Sequence, residues 1–86
     1  MSKFQKLINK ILSGNSDNNI DFDDLVKLLL KLNFIQRNSG GSHYIFYKED
    51  ISEIINLQPK DGKAKPYQVK QVRELITKYK LLKDEN

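Results

Sequence analysis

Apolar residues recur at helical spacing in three stretches of the chain, and at strand spacing between the last two. Over residues 3–12, Phe4, Leu7, Ile8, Ile11 and Leu12 share one side and lysines take the other, which predicts an amphipathic helix. Ser13-Gly14 stops it, with Gly14 suited to the left-handed residue after a helix end. A polar linker, residues 15–19, leads to a second helix. There Asp21 reads as the N-cap, and Asp23 and Asp24 put negative charge against the positive end of the helix dipole. Phe22, Leu25, Leu28, Leu29 and Leu32 form its apolar stripe, widened by Val26 and Leu30, and Asn33 closes it.

After Asn33 the period changes. Residues 34–38 read as a short strand, Ser39-Gly40-Gly41-Ser42 as a turn, and His43-Tyr44-Ile45-Phe46-Tyr47 as the strongest strand of the chain. Lys48-Glu49-Asp50 reads as a polar connection and residues 54–58 as a third strand, which Pro59 ends. Residues 60–65, Lys-Asp-Gly-Lys-Ala-Lys, read as a flexible basic loop. Pro66 stands where a helix can begin without its missing N–H being felt. Val69, Val72, Leu75, Ile76 and Tyr79 are the stripe of that last helix, and residues 83–86 are expected to fray. Without the first helix the order is α-β-β-β-α, that of double-stranded-RNA-binding domains. The expected class is therefore α+β, with the two long helices on one face of a three-stranded antiparallel sheet. Residues 1–86 form one domain, in which residues 1–14 are a helical extension docked on a core of residues 21–81.

Composition narrows the chemistry. A hydrophobic fraction of 38% and a charged fraction of 30% fit a folded soluble domain rather than a disordered one. No apolar run is long enough to span a membrane, and lysine and asparagine interrupt the first helix as they would not a signal peptide. Cysteine is absent, which excludes disulfides, thiolate metal sites and a cysteine nucleophile, and fits a cytoplasmic setting. One histidine and scattered carboxylates do not make a zinc ligand set. No P-loop, dinucleotide fingerprint or HExxH is present, so neither a metal nor a small-molecule cofactor is expected.

The formal charge of +4 and the pI near 9.3 favour an anionic partner. Residues 60–80 hold seven basic side chains against two acidic ones, a local charge of +5, so the excess gathers on the basic loop and the last helix. Lys60, Lys63 and Lys65, spaced by small residues, can reach phosphates, with Lys70 and Arg73 on the helix behind them and Arg37 on the strand before the histidine. Tyr44, Tyr47 and Tyr67 could stack on bases, although packing in the core suits most of them better.

His43 is the only histidine, and it follows Gly40-Gly41-Ser42 at the start of the best strand. Imidazole exchanges protons near neutral pH more readily than any other side chain. RNA cleavage suits a protein with one such group, because the substrate supplies its own 2′-OH as nucleophile. Gly41 and Ser42 beside the histidine would let backbone N–H groups approach a phosphate. Ser42 and His43 are not a nucleophile–base pair, since neighbouring strand residues point to opposite faces. Alternation groups His43 with Ile45 and Tyr47, and Ser42 with Tyr44 and Phe46. Both groups carry apolar side chains, so period alone does not choose the open face.

From Leu28 to Phe46 the chain resembles the HicA toxins, small RNA-cleaving proteins of prokaryotic type II toxin–antitoxin systems. The resemblance rests on Leu32 and Phe34 at the end of a helix, then Gly41-Ser42-His43, then Phe46 three positions on. The stretch Lys63-Ala64-Lys65-Pro66-Tyr67-Gln68-Val69-Lys70-Gln71 is similar to a branch of the same family, and the likeness spans roughly residues 21–81. It implies a double-stranded-RNA-binding-domain-like fold, His43 as the catalytic residue of an mRNA-cleaving endoribonuclease, and a HicB-type antitoxin as protein partner. The chain departs from many members in lacking a second histidine: Tyr44 and Gln58-Pro59-Lys60 stand in those regions. A lysine, a tyrosine or solvent must then supply any second proton transfer, and Lys63 or Lys65 could stabilise charge on the phosphorane. Two other readings stay open on the residues alone: a non-catalytic RNA-binding module of the same fold, and a domain whose task is to hold a protein partner.

Overall fold

A computed structural model describes residues 3–38 and 43–81 of the chain; the expected turn over 39–42 and the expected fraying of 83–86 lie outside the described residues. In chain order the elements are α1 (Lys3–Ser13), α2 (Phe22–Lys31), β1 (Ile35–Asn38), β2 (Tyr44–Lys48), β3 (Ile51–Leu57), β4 (Pro59–Lys60), β5 (Lys63–Ala64) and α3 (Pro66–Lys78). β1, β2 and β3 form an antiparallel sheet in that order, and β4 pairs with β5 in a separate hairpin. The expected α+β class, with an α-β-β-β-α core preceded by one more helix, is what the chain forms.

Register decides which sheet face is covered. Phe46 lies opposite both Gln36 and Ile55, and Tyr44 lies opposite Leu57. Phe46, Ile55 and Leu57 are buried and join Leu25, Leu28, Leu29, Val69, Val72 and Ile76 in one cluster, so this face carries the helices. The Phe22 ring of α2 meets the Tyr44 ring of β2 at 5.1 Å between centroids. Alternation then sends Ile35, Arg37, Ile45, Tyr47, Ile54 and Asn56 to the opposite face, where Ile54 is 59% and Ile35 43% exposed. That face is open, as expected for this order.

α1 is bound more deeply than its amphipathic pattern required. Ile8 and Ile11 are 2% and 0% exposed and belong to the same core cluster as α2 and α3. Burying an aliphatic side chain of this size contributes roughly 1.5–3 kcal/mol, so α1 is a substantial part of the core.

The helix ends follow their sequence. Asn33 takes φ 74°, and the N–H groups of Asn33 and Phe34 donate to Leu30 O and Leu29 O, each at 3.0 Å, which is a Schellman closure of α2. Asp21 does occupy the N-cap position of α2 in extended geometry, but its carboxylate makes no capping bond. The Phe22 N–H donates instead to Gly62 O at 3.0 Å, a cap supplied by the distant hairpin.

Two connections differ from expectation. The third strand begins at Ile51, not Ile54, after a two-residue turn at Glu49-Asp50. Neither turn residue has positive φ, so the turn does not match the strand twist, and the ladder shifts register between Phe46 and Lys48. Residues 60–65 are likewise not a flexible loop. Lys60 pairs with Lys63 across Asp61 (φ 54°) and Gly62 (φ 79°), the positive-φ pair of a tight hairpin turn for which Asp-Gly is a favoured dipeptide. β5 is tied down further, because the Ala64 N–H donates to Ile20 O at 2.9 Å. The strands of this hairpin are two residues each, too short for alternation to mark them. No helix among the described residues is long and apolar enough to cross a membrane.

Candidate functional site

His43 stands immediately before β2 and is exposed. Because Tyr44 and Phe46 turn toward the helices, His43 belongs with Ile45 and Tyr47 on the open side. It borders an open cleft of about 260 Å³ lined by His43, Asn56, Gln58, Tyr67, Gln68 and Gln71. Asn56 faces Ile45 across the β2–β3 ladder and Gln58 follows the end of β3. Tyr67, Gln68 and Gln71 come from the first turns of α3. The cleft therefore lies where the edge of β3 meets the start of α3.

Local hydrogen bonds fix its walls. The Gln71 side-chain amide donates to Ile54 O on the β3 edge at 3.5 Å. Gln68, 1% exposed, accepts from the Lys65 N–H at 3.4 Å and so helps satisfy the start of α3. The Lys65 ammonium donates to Gln58 Oε1 at 3.2 Å, which sets a cation beside the cleft. Among the described residues no side chain is hydrogen-bonded to the His43 imidazole. The site thus combines a histidine, three reachable amide side chains, a phenol and a neighbouring ammonium, a set able to move a proton and bind a polar ligand.

The other cations expected at the site divide by what holds them. Lys60 and Lys70 are exposed. Arg37 lies over the Tyr47 ring on the open face, 5.6 Å from its centroid. Lys63 donates to Asp21 at 2.6 Å and to Asn19 at 3.1 Å, and this lysine keeps the Asp21 carboxyl below its ordinary pKa. Arg73 is committed most fully. Its guanidinium forks onto both carboxylate oxygens of Asp17 at 2.9 and 3.2 Å and caps α1 by donating to Ile11 O at 3.1 Å. Asp17 raises the pKa of Arg73 further. The helix geometry places Arg73 on the flank of α3 facing α1, away from Tyr67 and Gln71, so Arg73 is a tie within the fold and not part of the cleft. Gly41 and Ser42 lie outside the described residues.

The tyrosines also separate. Tyr44 packs on the core, Tyr47 lies under Arg37, and Tyr67 is 64% exposed at the cleft. The sequence alone did not assign Asn56, Gln58 or Gln71 to the site, and Gln58 was noted only as standing where many family members carry a second histidine. The signal for the first two was their alternation with buried Ile55 and Leu57; for Gln71 it was a place one helical turn after Tyr67.

The fold and site define a small basic α+β domain built around one histidine in an amide-lined cleft. The family model described as HicA toxin of bacterial toxin–antitoxin matches residues 22–81, from the first residue of α2 to the last described residue. The chain belongs to the HicA toxin family and is a toxin of a toxin–antitoxin system. α1 precedes the matched region. Comparison with curated proteins gives no match, and neither does comparison with solved structures.

Proposed function

We propose that this toxin is a metal-independent endoribonuclease that cleaves mRNA in the cytoplasm, with His43 as its acid–base residue, and that a HicB-type antitoxin neutralises it. The observation that carries the reading is the placement of His43: exposed, without a hydrogen-bonded side chain among the described residues, and at the mouth of a polar cleft with Lys65 beside it.

The chemistry balances without a resident metal. The 2′-OH of the substrate attacks the adjacent phosphorus, the 2′-O–P bond forms as the P–O5′ bond breaks, and one proton leaves 2′-O while one arrives on O5′. The products are a 2′,3′-cyclic phosphate and a 5′-hydroxyl. His43 handles one of these transfers; the Tyr67 phenol or solvent handles the other, because no second histidine exists. Lys65 stabilises the charge gathered on the phosphorane oxygens. Arg37, Lys60 and Lys70 follow the RNA backbone, and Gly41 and Ser42, adjacent to His43 in sequence, offer it N–H groups. Lys63 and Arg73, already paired, add to the positive field more than to direct contact. The function resides in residues 21–81, and the α1 extension stabilises that unit.

Induced expression tests the reading in cells. Wild type should arrest growth and deplete mRNA, His43→Ala should do neither at equal protein level, and co-expressed HicB-type antitoxin should restore growth. Arrest by His43→Ala as strong as wild type would remove His43 from the mechanism.

A further inference from the structure

The cleft beside His43 has a composition that proton transfer alone does not require. Among the described residues its lining contains no carboxylate, lysine or arginine, yet Asn56, Gln58 and Gln71 supply amides around the exposed Tyr67 ring. We propose that this cleft holds one unpaired nucleobase of single-stranded RNA, stacked on Tyr67 and bound along its edge by Asn56, Gln58 and Gln71. The inference rests on the nuclease reading only for the choice of RNA as ligand.

The hydrogen bonds already made leave complementary valences. Gln58 Oε1 is engaged by Lys65, so the Gln58 side chain has N–H donors to offer. The Gln71 amide nitrogen is turned to Ile54 O, so its Oε1 remains an acceptor. Every nucleobase presents a donor next to an acceptor on its pairing edge, which matches one such pair. A ring on which a base can stack is the usual companion of edge recognition in RNA sites.

Size and charge point the same way. At about 260 Å³ the cleft is below the roughly 300–1,000 Å³ of pockets for drug-sized ligands, and suits a single base better than a longer segment. A lining of amides and a phenol beside His43, with Lys65 at its rim, separates the two parts of a nucleotide, base inside and phosphate outside. A base within a duplex hides both its stacking face and its pairing edge, so this site selects unpaired nucleotides despite a fold shared with duplex-binding domains.

Binding by the wild-type protein to a short 2′-O-methyl RNA, whose blocked 2′-oxygen cannot attack, tests this by fluorescence anisotropy. The single strand should bind about tenfold or more tightly than the same strand annealed into a duplex. Tyr67→Ala should weaken single-strand binding by about tenfold or more, while Tyr67→Phe should keep it; circular dichroism identifies any variant that fails to fold. Gln58→Ala and Gln71→Ala should shift the sequences cleaved in unmodified RNA. Equal affinity for strand and duplex, or full affinity in a folded Tyr67→Ala, would overturn the base site. If unmodified RNA stays intact while Tyr67-dependent binding persists, the nuclease reading fails and the base site stands.

Discussion

On the flank of α3 that faces α1, Arg73 is held by Asp17 and by the end of α1, with about a fifth of its side chain exposed (22%). On the flank that faces β3, Tyr67 and Gln71 border the cleft of His43, and most of the Tyr67 surface is open. Both flanks belong to a single helix and arise from one basic, polar stretch of sequence. The first spends its polar groups on holding the fold; the second keeps them available to a ligand. Net charge does not distinguish these uses, whereas hydrogen-bond partners do.

Substitutions at the two flanks should therefore separate stability from RNA handling. The largest effect is expected in the core beneath the first flank, where Ile11→Ala should cost about 2–5 kcal/mol of unfolding free energy in a denaturant titration. A loss well below 1 kcal/mol would show that α1 is only loosely docked. Arg73→Ala should cost about 1–2 kcal/mol, the range of charge-assisted hydrogen bonds discounted for partial exposure, and should leave RNA affinity nearly unchanged. Lys65→Ala should do the reverse: thermal stability stays within a degree or two, RNA binding weakens several-fold, and the salt dependence of binding becomes shallower by about one counterion. If Arg73→Ala reduced RNA affinity more than Lys65→Ala, the assignment of the two flanks would be inverted.

The smallest effect concerns the far end of α3. Lys78 and the Tyr79 hydroxyl both donate to Glu53 and hold its carboxyl at about 2, well below its ordinary 4.5. The unfolded chain then takes up this proton at higher pH than the folded one. Glu53 stabilises the fold fully above about 4.5, and that contribution is lost as pH falls toward 2. Glu53→Gln should flatten the acid limb of stability against pH across that window, with no change in RNA cleavage at neutral pH. An unchanged acid limb would show that the Glu53 bonds do not persist in solution.

Elements longer than about four residues were legible because apolar period reports burial directly. α2 could be read from Phe22 to Leu32, with Asn33 as its stop, and the sheet from the aromatic run at residues 43–47. The hairpin at residues 59–64 was not read, since its strands are too short for a period, although Asp61-Gly62 marked the turn. The start of β3 was hidden because Ser52 and Glu53 look like a connection; Glu53 in fact reaches α3. His43 stood out by being the only histidine, but the open face needed the register of Phe46 against Ile55. The division of cations could not be foreseen at all. Asp17 and Arg73 lie 56 residues apart, Asp21 and Lys63 42 apart, and nothing local to either member announces the pair.

The role proposed for the His43 imidazole is a proton transfer in the cleavage of RNA. Its most direct test is the single-turnover rate of cleavage of a synthetic single-stranded RNA by purified protein in excess EDTA, wild type beside His43→Ala. Wild type should cleave to 2′,3′-cyclic phosphate and 5′-hydroxyl ends, with a rate about 10²–10⁴-fold lower in the variant. Comparable rates for the two proteins, or no cleavage by wild type until a divalent metal is added, would contradict it.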